Sequence, residues 1–305
     1  MSAYSIEREF IDAGELRFEV HTCGDPESER LVLCLHGFPE HAHSWRHQLP
    51  VLAELGYRVW APNQRGYGET TPRRLDKDFY DLELLLADIA ALIDAAGARS
   101  VTLVGHDWGG ILAWIFALRE IRPLERLVVM NLPHPQRFYE NLTGSFEQRL
   151  RSFYEPIFRL PRLAEWILTR RSGQAFSNMF RQQAVNEQRF LEADVEVFRE
   201  HAMRPGTMTA MLNWYRANPF LQTLRGEWPK LDVPTLMIWG LSDQALRKQM
   251  TYDTDRLVRD FTIRYLDACH WVQQDAPEET NAVLTAWLQG ERGEGVPVFM
   301  PDPNA

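Results

Sequence analysis

Gly105-His106-Asp107-Trp108-Gly109 stands between a short β-branched and apolar run, Val101–Val104, and a largely apolar helix-forming segment reaching Leu118. Small residues on both sides of a central acid mark a sharp strand-to-helix turn, because a bulky side chain there would collide with the crowded backbone. The turn lifts the central side chain above the sheet and sets its backbone at a helix N-terminus, where negative charge is stabilised. Many such turns carry Ser; this one carries Asp107. A carboxylate is already ionised at neutral pH and needs no base to activate it. It is a weak nucleophile toward acyl carbon but competent in displacement at an sp³ carbon, and the product is an alkyl ester on the protein. Hydrolysis of that ester requires a water, a His to deprotonate it, an acid to orient the His, and backbone donors for the oxyanion.

Each of these parts is available. His270 lies in Asp267-Ala268-Cys269-His270-Trp271, and Asp243 in Trp239-Gly240-Leu241-Ser242-Asp243-Gln244. Nucleophile, acid and His thus follow one another in the chain order expected when the nucleophile sits on a strand-to-helix turn. Asp267, which precedes His270 in the same segment, reads as a turn residue. The turn His36-Gly37-Phe38-Pro39 offers the backbone N–H of Phe38 as one oxyanion donor, with that of Trp108 as the second. His41, His43 and His47 cluster near Glu40, but no second cluster completes a metal site, and neither metal nor cofactor is expected. His106 reads as a packed residue of the turn, and His134, between two prolines, as part of a hinge.

The elements that must hold these residues are legible in the hydrophobic pattern. Glu7 to Gly24 alternates about Ala13-Gly14 as an antiparallel hairpin, and Leu31–Leu35 is a buried strand. Helix signals follow near Ser44 to Leu55, then a strand at Tyr57–Ala61 and a Gly-rich turn, Arg65–Gly68. Leu82, Leu85, Leu86, Ile89, Leu92 and Ile93 recur at helical spacing and predict an amphipathic helix over 78–96, closed by Gly97. With the strand Leu127–Met130, this alternation predicts an α/β fold: a mostly parallel sheet with helices on both faces. Residues 136 to about 230 then show helical periodicity, many Arg and aromatics and no convincing strand, which reads as an inserted helical cap. Strands return at Pro234–Trp239 and Phe261–Leu266, and a last helix runs from Pro277 to Leu288. The expected organisation is a core over 1–132, a cap over 133–230, the rest of the core over 231–290 and a tail over 291–305.

With 305 residues the chain has ample length for a large core, and its formal charge of −9 argues against nucleic acid as a partner. Ten Trp and sixteen Phe fit either a generous apolar pocket or plain core. The three cysteines, Cys23, Cys34 and Cys269, show neither metal spacing nor an even disulfide set, and Cys34 reads as a buried thiol. The start of the chain has no apolar signal core and no run is long enough to span a bilayer, so a cytoplasmic location is expected; a homodimer is left open. The cap arginines Arg149, Arg151, Arg159, Arg162, Arg170 and Arg171 fit a solvated helical face or, alternatively, one that steers an anionic substrate.

His36–Glu40, Gly105–Gly110 and Asp267–Trp271 resemble the motifs of the epoxide hydrolases of the α/β-hydrolase fold, which are related to haloalkane and haloacetate dehalogenases. The resemblance runs from the first hairpin to about Gln289. Two cap segments share it: Ser152–Pro161 is similar to the segment carrying the first ring-opening tyrosine, and Leu212–Arg216 to that carrying the second. It therefore implies Tyr154 and Tyr215, among nine tyrosines, as the acid pair. Opening an epoxide generates an alkoxide, which wants a proton, whereas a halide needs only donors. Phe38 occupies the place where a haloalkane dehalogenase often carries Asn, and the arginines that haloacetate dehalogenases carry after the nucleophile are missing here. The expectation is an epoxide hydrolase acting on a small apolar epoxide, with a dehalogenase using the same ester chemistry as the alternative. A non-catalytic protein binding a ligand under its cap is the third reading.

Overall fold

The computed structural model describes residues 4–185, Arg189 and residues 192–290. The tail expected over 291–305 lies outside the described residues. Eight strands form one sheet: β1 (Glu7–Ala13), β2 (Leu16–Cys23), β3 (Arg30–Leu35), β4 (Arg58–Pro62), β5 (Ser100–His106), β6 (Arg126–Met130), β7 (Thr235–Gly240) and β8 (Phe261–Leu266). Their spatial order is β1-β2-β4-β3-β5-β6-β7-β8. The hairpin β1–β2 is antiparallel and β2 meets β4 antiparallel, while every pairing from β4 to β8 is parallel.

The central strands are apolar throughout because both faces of the sheet are covered. Along β3, Leu31, Leu33 and Leu35 point into one core and Val32 and Cys34 into the other. The first core is closed by α2 (Leu82–Ala96) and α3 (Trp108–Leu118). The second is closed by α1 (Leu49–Glu54), α11 (Val272–Asp275) and α12 (Pro277–Leu288). The helix expected from Ser44 to Leu55 is instead two pieces, a 3₁₀ turn at Ala42–Trp45 and then α1. Pro50 in the first turn of α1 explains the break, since its ring fits only a helix start. The helix expected over 78–96 likewise begins later: a 3₁₀ turn spans Lys77–Tyr80, and Asp81 caps α2 by accepting from the Glu83 amide. Gly97 closes it at φ 59°, a left-handed conformation.

Between β6 and β7 the chain leaves the sheet and, among the described residues, forms seven helices. These are α4 (Pro135–Gly144), α5 (Phe146–Arg151), α6 (Tyr154–Phe158), α7 (Leu163–Gln183), α8 (Glu192–Ala202), α9 (Thr207–Ala217) and α10 (Phe220–Thr223). His134 caps α4, its ring accepting from the Gln136 amide. Helix α7 is broken at Arg170–Gly173, where the backbone leaves the helical region. This cap is pinned to the sheet domain by polar contacts: Asp194 on α8 pairs with His43 at 2.8 Å and Arg46 at 2.9 Å, and Asn218 donates to the Tyr80 carbonyl at 2.7 Å. Among the described residues, no helix is long and apolar enough to cross a membrane.

Candidate active site

Asp107 occupies the turn between β5 and α3 with φ 49° and ψ −119°, a strained conformation held by its surroundings. The flanking glycines are required by contact: a Cβ on Gly109 would run into the Leu35 carbonyl, and one on Gly105 into that of Gly109. Gly37 meets the same constraint from the other side, since a Cβ there would strike the Asp107 side chain. The loop after β3 is therefore pressed against the carboxylate, and the Phe38 N–H donates to Asp107 Oδ1 at 2.8 Å. This is the expected first oxyanion donor. Trp108, the second expected donor, opens α3 directly after the acid, and its buried indole packs against Tyr215 at 5.2 Å.

His270 sits in the loop between β8 and α11, buried, with Nε2 3.4 Å from Asp107 Oδ2 and Nδ1 2.7 Å from Asp243 Oδ2. Asp243, in the loop after β7, is held on both oxygens. Its Oδ1 accepts from the amides of Ala245 at 2.7 Å and Leu246 at 2.8 Å, and its Oδ2 also accepts from Asn131 Nδ2 at 2.8 Å. Asp107, His270 and Asp243 thus form one line across three loops at the C-terminal edge of the sheet, where ligands of such sheets bind.

The electrostatics follow from burial and pairing. Burial disfavours the charged form of Asp107, but the His270 hydrogen bond and charge, His106 and the Phe38 amide together hold its pKa below the ordinary carboxylate value. Burial also opposes a charge on His270; the two carboxylates outweigh it and raise its pKa to about 10. Tyr154 and Tyr215 move well upward, first by burial and then by the negative charge of Asp107, which favours the protonated phenols.

Tyr154 on α6 and Tyr215 on α9 come from opposite parts of the cap, with ring centroids 6.3 Å apart. Together with Asp107, His270 and Phe38 they line a cavity of about 200 Å³, completed by Phe158, Met179, Gln183, Ala245 and Trp271. These last five were not singled out in the sequence. Phe158 lies one helical turn beyond Tyr154, and Gln183 one turn beyond Met179, so periodicity could have suggested them as partners. No residue type marks Ala245.

A second set of buried groups lies behind His270. His106 Nδ1 meets Glu40 Oε2 at 2.8 Å and His106 Nε2 meets the His270 carbonyl at 2.9 Å. A carbonyl and a carboxylate only accept, so both ring nitrogens carry hydrogen or Glu40 itself holds the shared proton. Glu40 further accepts from the side-chain amides of Gln273 and Gln274. Glu40 therefore belongs to this hydrogen-bonded set and not to a cluster with His41 and His43. Among the described residues, no group of three or more His, Cys, Asp or Glu is arranged to hold a metal ion.

The α/β-hydrolase fold family matches residues 30–277. Epoxide hydrolase 3 of Xenopus tropicalis is 36% identical over 289 residues, covering 91% of this chain and 76% of that protein. The AB hydrolase superfamily protein YfhM of Bacillus subtilis (strain 168) is 32% identical over 289 residues, covering 93% and 98% respectively. The crystal structure of Bacillus megaterium epoxide hydrolase in complex with an inhibitor superposes with a TM-score of 0.82 at 26% identity, covering 92% of this chain and 100% of that one. The chain belongs to the α/β-hydrolase fold family and, within it, to the epoxide hydrolases.

Proposed function

We propose that the protein converts a small apolar epoxide to a vicinal diol through an ester on Asp107. The reading rests on one observation: Asp107, Tyr154 and Tyr215 line one mainly apolar cavity, in surroundings that favour an ionised acid and protonated phenols. Asp107 attacks an epoxide carbon, the C–O bond breaks, and Tyr154 and Tyr215 stabilise and protonate the oxygen as it leaves. Once esterified, Asp107 has lost its charge, and one of the two carboxylates that hold the proton on His270 is gone. His270 then releases that proton, which replaces the one given to the alkoxide. Neutral His270, oriented by Asp243, takes a proton from water as the water attacks the ester carbonyl. The Phe38 amide, already on Oδ1, supports the oxyanion, joined by that of Trp108. Collapse breaks the bond to the ester oxygen, which takes the proton of the newly formed Asp107 carboxylic acid, so the diol leaves with Asp107 ionised and His270 protonated. The sum is epoxide plus water, and the chemistry asks no cofactor of the protein.

The two phenols favour this reaction over dehalogenation, since a departing halide needs no proton. Parallel turnover of a small epoxide panel and a haloalkane and haloacetate panel, with Asp107→Ala as the control, tests the assignment. Diol formed by the wild type and lost in the variant is the expected outcome. Halide release without diol would assign the same ester chemistry to a dehalogenase. Ligand binding without turnover on either panel, unchanged in the variant, would leave a non-catalytic protein.

A further inference from the structure

Helices α5 and α6 and the start of α7 run consecutively along the outside of the cap. Phe146, Leu150 and Phe153 follow at spacings of four and three, and Leu160, Leu163 and Trp166 continue at spacings of three. The six come from α5, the start of α7 and the turns on either side of α6, with a left-handed residue, Arg162, between Leu160 and Leu163. All six are exposed, between 43% and 68% of their surface. They leave large apolar and aromatic side chains in water where the same helices have a buried inner face: Tyr154 and Phe158 line the cavity, and Gln148 is fully covered. An exposed apolar stripe of this size marks an interaction surface.

The charge around the stripe selects the partner. Residues 144–171 contain six Arg, three Glu and neither Lys nor Asp, a net of +3 in a chain whose total is −9. Of the three acids, Glu155 is buried, Glu165 is held by Arg216 at 2.8 Å and Glu147 by Arg151 at 3.0 Å. Arg149, Arg159, Arg162, Arg170 and Arg171 are exposed, and the Arg170 guanidinium lies 4.9 Å from the centre of the Trp166 ring. Exposed arginine interleaved with exposed Phe, Leu and Trp along one stretch of chain is the composition of a membrane-interface segment: the rings enter the headgroup boundary and the cations meet lipid phosphates. A second copy of the chain fits less well, because a twofold interface would set the same arginines against one another.

We infer that this face of the cap docks on an anionic lipid surface, peripherally and without spanning it. On the epoxide reading, docking would hold the wall that carries Tyr154 against the phase in which apolar epoxides concentrate. The docking itself does not depend on that reading.

The test is co-sedimentation of the full-length protein with vesicles of phosphatidylglycerol and phosphatidylcholine, compared with phosphatidylcholine alone. The expected result is binding to the anionic vesicles on the order of tenfold tighter than to the neutral ones, weakening as salt is raised. The triple variant F146S/F153S/W166S, and separately R149E/R162E, are expected to lose this binding. Both keep turnover of a water-soluble epoxide, which shows that the fold is intact. Absence of vesicle binding by the wild type overturns the inference, as does binding that both variants retain. A concentration-dependent dimer that the triple variant dissolves, with no vesicle binding, assigns the stripe to a second copy instead. Because the readout is sedimentation, failure here and failure of the epoxide reading are separate results.

Discussion

Asn131 Nδ2 donates to Asp243 Oδ2 at 2.8 Å, the same oxygen that receives His270 Nδ1 at 2.7 Å. The Asn131 carbonyl oxygen in turn accepts from the Gly240 amide at 2.9 Å, so one side chain ties the end of β6 to the loop that carries the acid. Asn131→Asp keeps the acceptor for Gly240 but replaces the donor with a second carboxylate against Asp243. Two carboxylates that close do not both stay ionised. His270 then loses part of its orientation and charge partner, and hydrolysis of the ester is expected to slow about tenfold, equivalent to about 1.4 kcal/mol, with ring opening less affected. Rapid quench with intact-mass detection checks this: the ester adduct accumulates in the variant and not in the wild type.

In the proposed mechanism the tyrosines act earlier. Tyr154→Phe and Tyr215→Phe each remove one hydroxyl and leave the ring packing of the cavity in place. Each is expected to lower the rate of ring opening by about 10²-fold, within the usual range for a general acid, and the pair together to lose more than either alone. Single-turnover kinetics followed by adduct formation separates this step from ester hydrolysis. An equal rate in either variant would remove that tyrosine from the mechanism.

Much of this arrangement is legible in the sequence because it is local. The turn at Asp107 needs small residues at Gly105 and Gly109, and the strands before Asp107 and Asp243 are short, mainly apolar runs of a buried parallel sheet, while β8 before His270 is a half-buried edge strand. The tyrosines are different: nothing in their spacing separates Tyr154 and Tyr215 from the other seven, and resemblance alone pointed to them. What the sequence does not carry is how far the cap descends on the sheet. Met179, Gln183 and Phe158 become cavity wall through long-range packing of α6, α7 and α9, which no local pattern encodes. The break between Ala42–Trp45 and α1 does have a local signal, Pro50, whose ring fits only a helix start.

Protonation of His270 couples activity to stability. Its pKa in the folded protein is raised to about 10, above the ordinary value of 6.5. A raised pKa means the folded state binds the proton more tightly than the unfolded chain. The stabilisation is therefore complete below the unfolded value near 6.5 and is lost as pH rises toward 10. Thermal denaturation of wild type and His270→Gln across this window is expected to show the two curves converging as pH rises. Parallel curves would mean that the proton contributes nothing to folding.

Glu40 provides a case in which a small chemical change has a structural cost far from any substrate. Its side chain is fully buried, accepts from the side-chain amides of Gln273 and Gln274, and shares one hydrogen with the His106 ring. Glu40→Leu keeps roughly the shape but removes the acceptor that Gln273, Gln274 and His106 share. A buried group left unpaired in this way costs about 1–3 kcal/mol, more where charge is involved. A fall in Tm of several degrees is expected, with a slower ester hydrolysis, since His106 no longer holds the His270 carbonyl in place. Replacing Glu40 and His106 together by apolar residues removes donors and acceptor at once and is expected to recover part of the Tm but none of the rate. Recovery of both would show that the pair serves packing alone, and recovery of neither would show that Gln273 and Gln274 depend on it as well.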